Sequence, residues 1–158
     1  MPSPEDNGPY GDILTENKIE ENLFRLAYQN PNGISTDTDY ADVDEICQFA
    51  HDYKVDGLGL AGTDLDWNHR EVEKQVKRKI TRFFPHNVLA TSSSAKSYDS
   101  PYQPGGTATL LTGNWTGRKM ITGSNETLDG RWSYVTIQGK ENTKLTMITG
   151  YRLYLNHP

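Results

Sequence analysis

The residues best placed to do chemistry crowd the end of one short stretch. From Val55 to Trp67 the chain reads V-D-G-L-G-L-A-G-T-D-L-D-W. Small and apolar residues bounded by Gly and Asp are the pattern of an interior strand. Thr63, Asp64, Asp66 and Trp67 fall at its C-terminal end, where open α/β sheets usually place their ligands. The simplest roles for Asp64 and Asp66 are a turn and the cap of a following helix. A second group is basic. Lys74, Lys77, Arg78, Lys79 and Arg82 line one side of the helix that follows. A solvated helix face is the favoured reading and a phosphate-facing surface the sharper one. Cys47 falls on an apolar stripe and is expected to be a buried structural thiol rather than a nucleophile. His51, near a helix C-terminus, is expected to act in capping rather than catalysis.

The elements that must position these residues follow from hydrophobic spacing. Leu23 to Gln29 reads as a first strand and ends at Q-N-P-N-G, where Pro31 and Gly33 force a turn. Asp42 to Tyr53 is an amphipathic helix, with Val43, Ile46, Cys47, Ala50 and Tyr53 on one stripe and acidic residues in its first turn. After the central strand, Asn68 or Asp66 caps a second helix that runs to Arg82 or Phe84, where Pro85 ends it. Val72, Val76 and Ile80 form its inner stripe. From Asn87 onward the sequence is β-rich, with strands expected at 87–91, 107–111, 118–122, 132–138 and 144–149. Glycine-containing turns separate most of them, which suggests an antiparallel meander, and 92–106 reads as a surface loop. The expected fold class is therefore α+β: a partial α/β sandwich, mostly antiparallel sheet, with two helices on one face.

Composition bounds the rest. At 158 residues the chain is long enough for one domain with a real core. A formal net charge of −5 means that a polyanionic partner would be met by a local basic patch rather than by the global field. A single cysteine excludes an internal disulfide and a thiolate zinc site. No apolar run is long enough to span a bilayer, so no membrane partner is expected. The N-terminal residues lack the basic and apolar regions of a signal peptide, from which an intracellular location is expected. The sequons at Asn114 and Asn125 are then best explained by chance. Residues 1–21 are expected to form a flexible leader and 22–158 the domain.

Three motifs, in order, carry a resemblance. Q-N-P-N-G-I with Asn30, L-A-G-T-D-L-D-W, and P-G-G-T-A-T-L-L followed by strands to I-T-G-Y at Tyr151 resemble the endonuclease/exonuclease/phosphatase superfamily, the deoxyribonuclease I-like fold. The likeness covers roughly residues 22–156 and is nearest to the nuclease-like members of retroelement-type open reading frames. The resemblance implies a phosphoester hydrolase in which carboxylate oxygens hold Mg²⁺ and an acid–base pair activates water. It implies that Asn30 is the phosphate- and metal-side asparagine and that Tyr151 contacts the phosphate. Apart from the family, Asn30 is a turn residue and Tyr151 a strand-end aromatic.

Two departures weigh against that chemistry. The family's metal-ligating glutamate falls at Gly62 and the glutamine before it at Ala61. The chain stops at Pro158, before the later G-D-x-N and terminal S-D-H motifs, so the resemblance implies a truncated domain that lacks the water-activating aspartate and general-base histidine. His157 lacks that motif. Asp64, two residues past Gly62, and then Asp66 would project to the same side if the strand continued, and could hold a hydrated Mg²⁺ weakly. Two function classes remain: a Mg²⁺-dependent phosphodiester hydrolase, inactive or incomplete as an isolated chain, and a non-catalytic module that binds nucleic acid or protein. Lys74, Lys77 and Arg78 are the candidate nucleic-acid contacts. A half-sandwich with one sheet face bare would also self-associate or take a partner chain over that face.

Overall fold

The computed structural model describes residues 23–93, 105–124 and 130–152. The expected leader, most of the 92–106 loop, Asn125 and His157 lie outside the described residues. The elements run β1 (Leu26–Gln29), α1 (Ala41–Asp52), β2 (Gly57–Ala61), α2 (Arg70–Phe83), β3 (Asn87–Ser92), β4 (Thr107–Thr112), a 3₁₀ turn (Gly113–Arg118), β5 (Lys119–Ser124), β6 (Trp132–Gln138) and β7 (Lys144–Gly150). The class is α+β, as expected.

The strands form two sheets. One has the order β1-β2-β4-β3 and the other β5-β6-β7. β1 and β2 are parallel across the α1 crossover, and the other pairings are antiparallel. The meander expected from Asn87 onward therefore splits. After β4 the 3₁₀ turn carries the chain out of the first sheet, and β5-β6-β7 pack on that sheet's second face. This corrects the expectation of a half-sandwich with one sheet face bare. The face is covered by the chain itself, through a second core of Ala90, Leu111, Val135, Ile137 and Met147.

Both helices lie on the first face, as their stripes require. Val43, Ile46, Cys47 and Ala50 of α1 and Val72, Val76 and Ile80 of α2 share one core with Leu58, Leu60, Ala108 and Leu110 of the sheet. α1 ends in a Schellman closure. Lys54 takes the left-handed conformation (φ 52°), and the Val55 N–H reaches back to the Ala50 carbonyl at 2.8 Å. That turn delivers the chain directly into β2.

β2 is buried on both sides, which explains its composition. Leu58 and Leu60 face the helices, whereas Gly57 and Gly59 face the second sheet. A Cβ on Gly59 would stand 2.7 Å from Thr149 Oγ1, so only glycine lets the sheets approach so closely here. Beside it the layers are joined by hydroxyls. Thr109 Oγ1 lies 2.9 Å from Ser133 Oγ and 2.7 Å from Thr149 Oγ1, all buried.

Two side chains of the helical layer depart from a simple pattern. Lys79 does not belong to the basic outer face. It is 4% exposed, with Nζ 2.6 Å from Asp44 Oδ2 and 3.6 Å from Asp39 Oδ2, and it pins α2 to α1. Cys47 is buried as expected, and burial first, with Asp44 second, pushes its thiol up to about 12.

Removing one partner of a buried pair leaves a desolvated charge. Asp44→Ala is expected to cost about 3 kcal/mol in urea unfolding, and Lys79→Met distinctly less, because Asp44 is partly solvated. The Cys47 thiol should resist iodoacetamide at pH 8 in the native state and react once unfolded. Its folded pKa lies above the ordinary value of 9.0, so the stabilisation is whole below that pH and fades as pH rises toward 12. Denaturation midpoints across that window check the sign.

Candidate active site

The end of β2 is where three loops meet. The strand stops at Ala61, and Gly62 turns with φ 72°. Its carbonyl accepts the Gly33 N–H at 2.8 Å, and its own N–H donates to the Gly106 carbonyl at 2.9 Å. Thr63 follows the same route, receiving the Ile34 N–H at 2.9 Å and donating to Gly106 at 3.3 Å. The 30–34 turn, the 62–67 turn and the Gly105–Gly106 entry to β4 are thus laced through backbone groups. Thr63, fully buried, accepts the Trp67 indole N–H at 3.0 Å and fixes the last turn before α2.

The side chains singled out by motif converge at this point. A Cβ on Gly62 would lie 2.9 Å from Asn30 Oδ1 and 3.1 Å from the Tyr151 ring. Residues 30, 62 and 151 are far apart in sequence, and the fold brings them into one cluster. Asn30 Oδ1 also accepts the Asn32 N–H at 2.9 Å, closing its own turn. Tyr151 is anchored by its backbone N–H, which donates to the Arg131 carbonyl at 2.7 Å just beyond β7.

The carboxylates are occupied otherwise. Asp64 takes the left-handed conformation (φ 52°) instead of continuing the strand, so the alternation that would aim Asp64 and Asp66 together does not exist. Asp64 brackets Gly105: Oδ1 accepts its N–H at 2.7 Å, and the Asp64 N–H donates to its carbonyl at 2.6 Å. Asp66 is buried, and its Oδ1 accepts the Asn68 N–H at 3.0 Å with Ser93 Oγ at 3.5 Å. It shapes the turn before α2, whose N-cap is His69 rather than Asp66 or Asn68.

Mg²⁺ needs near-octahedral oxygens, commonly one or two carboxylates with retained waters. Gly62 offers no oxygen side chain, Asp64 and Asp66 each give Oδ1 to a backbone N–H of a different turn, and among the described residues no three His, Cys, Asp or Glu side chains converge. These residues do not fit a tightly held divalent ion. Lys74, Lys77 and Arg78 lie on a different element, exposed on α2, with Lys77 Nζ 2.6 Å from Glu73 Oε1 one helical turn away. His51 is exposed, with Nδ1 3.5 Å from Asp52 Oδ1. Sequence reasoning read Gly33 as a turn residue only and missed the roles of Gly105 and Gly106, and these three glycines carry the loop-to-loop approach. Their positive φ values leave only the trace of a Gly-rich turn in the sequence.

No family model matches the sequence, and no curated protein matches it. Among solved structures the chain is similar to an endonuclease/exonuclease/phosphatase family protein from Leptotrichia buccalis C-1013-b, with a TM-score of 0.57 at 10% identity. The match covers 85% of this chain and 57% of that protein, so this chain spans little more than half of its neighbour's length. At that identity the likeness is one of fold alone: the chain is folded like the matching part of that protein. Among the described residues, no helix is long and apolar enough to cross a membrane.

Because Gly62 has a positive φ and no room for a Cβ, Gly62→Ala is expected to cost about 1–3 kcal/mol, and Gly62→Glu at least as much. Gly117→Ala is the matched control, because open space surrounds that position. Urea unfolding of the three variants measures the difference.

Proposed function

We propose that this chain is a nuclease-fold module that does not hydrolyse phosphoesters by itself. One observation carries the reading. At the vertex where Asn30 and Tyr151 meet, the chain places a glycine whose backbone is turned away from the strand conformation, and the nearby carboxylates hold loops together. Asn30 and Tyr151 retain the means to orient a phosphate. They have no way to supply the cation or to deprotonate water. Losing an electrostatic stabiliser costs about two to three orders of magnitude in rate, and losing a general base about two to four more. Both supports would have to come from residues other than these. The finer likeness to retroelement-type nucleases rests on the same motifs and is part of this proposal.

A second reading is a non-catalytic nucleic-acid-binding module. It is favoured by the exposure of Lys74, Lys77 and Arg78 on one side of α2, with Lys79 turned inward as a structural cation. Such binding would weaken steeply with salt and fall further in a Lys74→Glu, Arg78→Glu double variant.

The test of the first reading is cleavage of supercoiled plasmid and of an abasic oligonucleotide with Mg²⁺ or Mn²⁺. Wild type and Gly62→Glu are both expected to stay at background. Wild-type cleavage that EDTA abolishes and Tyr151→Phe lowers would overturn it.

A further inference from the structure

The outer face of the second sheet carries an exposed aromatic pair. On β6, Ser133, Val135 and Ile137 point into the sandwich, where Ser133 meets Thr109 and the other two join the second core. Alternation therefore turns Trp132, Tyr134 and Thr136 outward. The two rings stack, with centroids 5.7 Å apart and planes at 30°. Gly123 of β5 pairs with Tyr134, and a Cβ there would stand 2.5 Å from the Tyr134 ring, so glycine lets that ring lie down on the sheet. Trp132 is 39% exposed, and the pair is flanked by Ile121 at 52% and Ile148 at 68%, opposite Thr136 and Tyr134 in the register. Thr136 and Thr146 close the floor, with their hydroxyls 2.9 Å apart. Charge on this sheet has one sign. β5, β6 and β7 contain no acidic residue, and their ionised side chains are Lys119 and Lys144. The described residues from 105 to 152 hold the cations Arg118, Lys119, Arg131, Lys140, Lys144 and Arg152 against the single carboxylate of Glu141. The whole chain, by contrast, carries −5.

We propose that this face binds single-stranded nucleic acid, with bases laid on Trp132 and Tyr134 and phosphates met by Lys144 and Arg152. Exposed aromatics on the central strand of a sheet give unpaired bases a surface to stack on, whatever their sequence. A duplex cannot make that contact along its length, because its bases already cover one another's faces. An apolar patch alone would suit a protein partner as well, but this one is ringed by cations in a chain whose net charge disfavours polyanions elsewhere. Lys144 begins β7 and Arg152 lies just past its end beside Trp132, both exposed, so a backbone running along the strands passes both. The face is separate from the vertex of Asn30, Gly62 and Tyr151, and from α2, which packs on the first sheet. Stacking and charge neutralisation need neither a metal nor hydrolysis, so the contact stands whether or not the chain cleaves.

Titrating the full chain with oligothymidylate or oligouridylate should quench tryptophan emission as a base stacks on Trp132. Binding of either strand supports the proposal, and the ratio of the two affinities shows whether the 2′-hydroxyl is read. Oligothymidylate annealed to its complement should bind about tenfold more weakly or worse. The logarithm of the affinity should fall against that of salt with a slope of about −0.7 per phosphate contact, and Lys144→Gln should remove about one such step. Trp132→Ala should weaken binding about tenfold, and Trp132→Phe less, because a phenyl ring still stacks. Tyr28→Ala, which removes an exposed aromatic of the first sheet, is the control and should leave binding unchanged. Circular dichroism checks that the variants fold, and the duplex comparison and the salt slope of the wild type need none of them. No binding at low salt would overturn the proposal, as would equal affinity for the duplex, or equal competition by polyglutamate, which has the charge without the bases. Binding that survives Trp132→Ala but is lost in the Lys74→Glu, Arg78→Glu double variant would also overturn it and assign the contact to α2.

Discussion

The structure depends on β2 being buried on both faces. One side of that strand meets two helices and demands bulk, which Leu58 and Leu60 supply. The other side meets a sheet that comes too close for any side chain at Gly59. That closeness permits the hydroxyl contacts among Thr109, Ser133 and Thr149, which satisfy polar groups that burial would otherwise penalise. The helices, the crossover and the second sheet are arranged around these two requirements.

The same crowding continues past the strand's end and decides what the site can be. Gly62 turns where the loops at Gly33 and Gly106 press against it, and its backbone groups become ties between them. Asp64 is drawn into the same arrangement by Gly105. An acidic residue at the mouth of a sheet would ordinarily be a candidate for ligand chemistry. Here Oδ1 and the backbone N–H of Asp64 hold the mouth together. Asn30 and Tyr151 are brought to one point by this packing, and their side chains crowd the place that a side chain at Gly62 would take.

Strand count sets the outer limit of the fold. Among the described residues, four strands on one side and three on the other leave a groove at one edge, with apolar side chains facing into it. Sandwich cores are stable when both layers end together or when something covers the excess. The groove beside β1 is a consequence of topology, since the chain leaves the first sheet after β4 and begins the second above β3.

Much of the fold was legible in the chain itself. The stripes of α1 and α2, the interior character of G-L-G-L-A and the β-rich second half each reflect a local period, and local periods survive into the structure. Burial of Cys47 followed from its place on such a stripe. Three things were decided only by tertiary packing. The split of the later strands into a second sheet rests on which faces find each other, and periodicity does not encode that. Lys79 left the basic face because Asp44 lies across the helix pair, a contact between residues distant in sequence. Asp64 and Asp66 diverged because a left-handed turn follows Ala61, and the close approach of two other loops imposes that turn. The resemblance to a known family, and not composition or spacing, singled out Asn30, Gly62 and Tyr151. Their convergence, and the lack of room for a side chain between them, come from the strand ends being packed together in space.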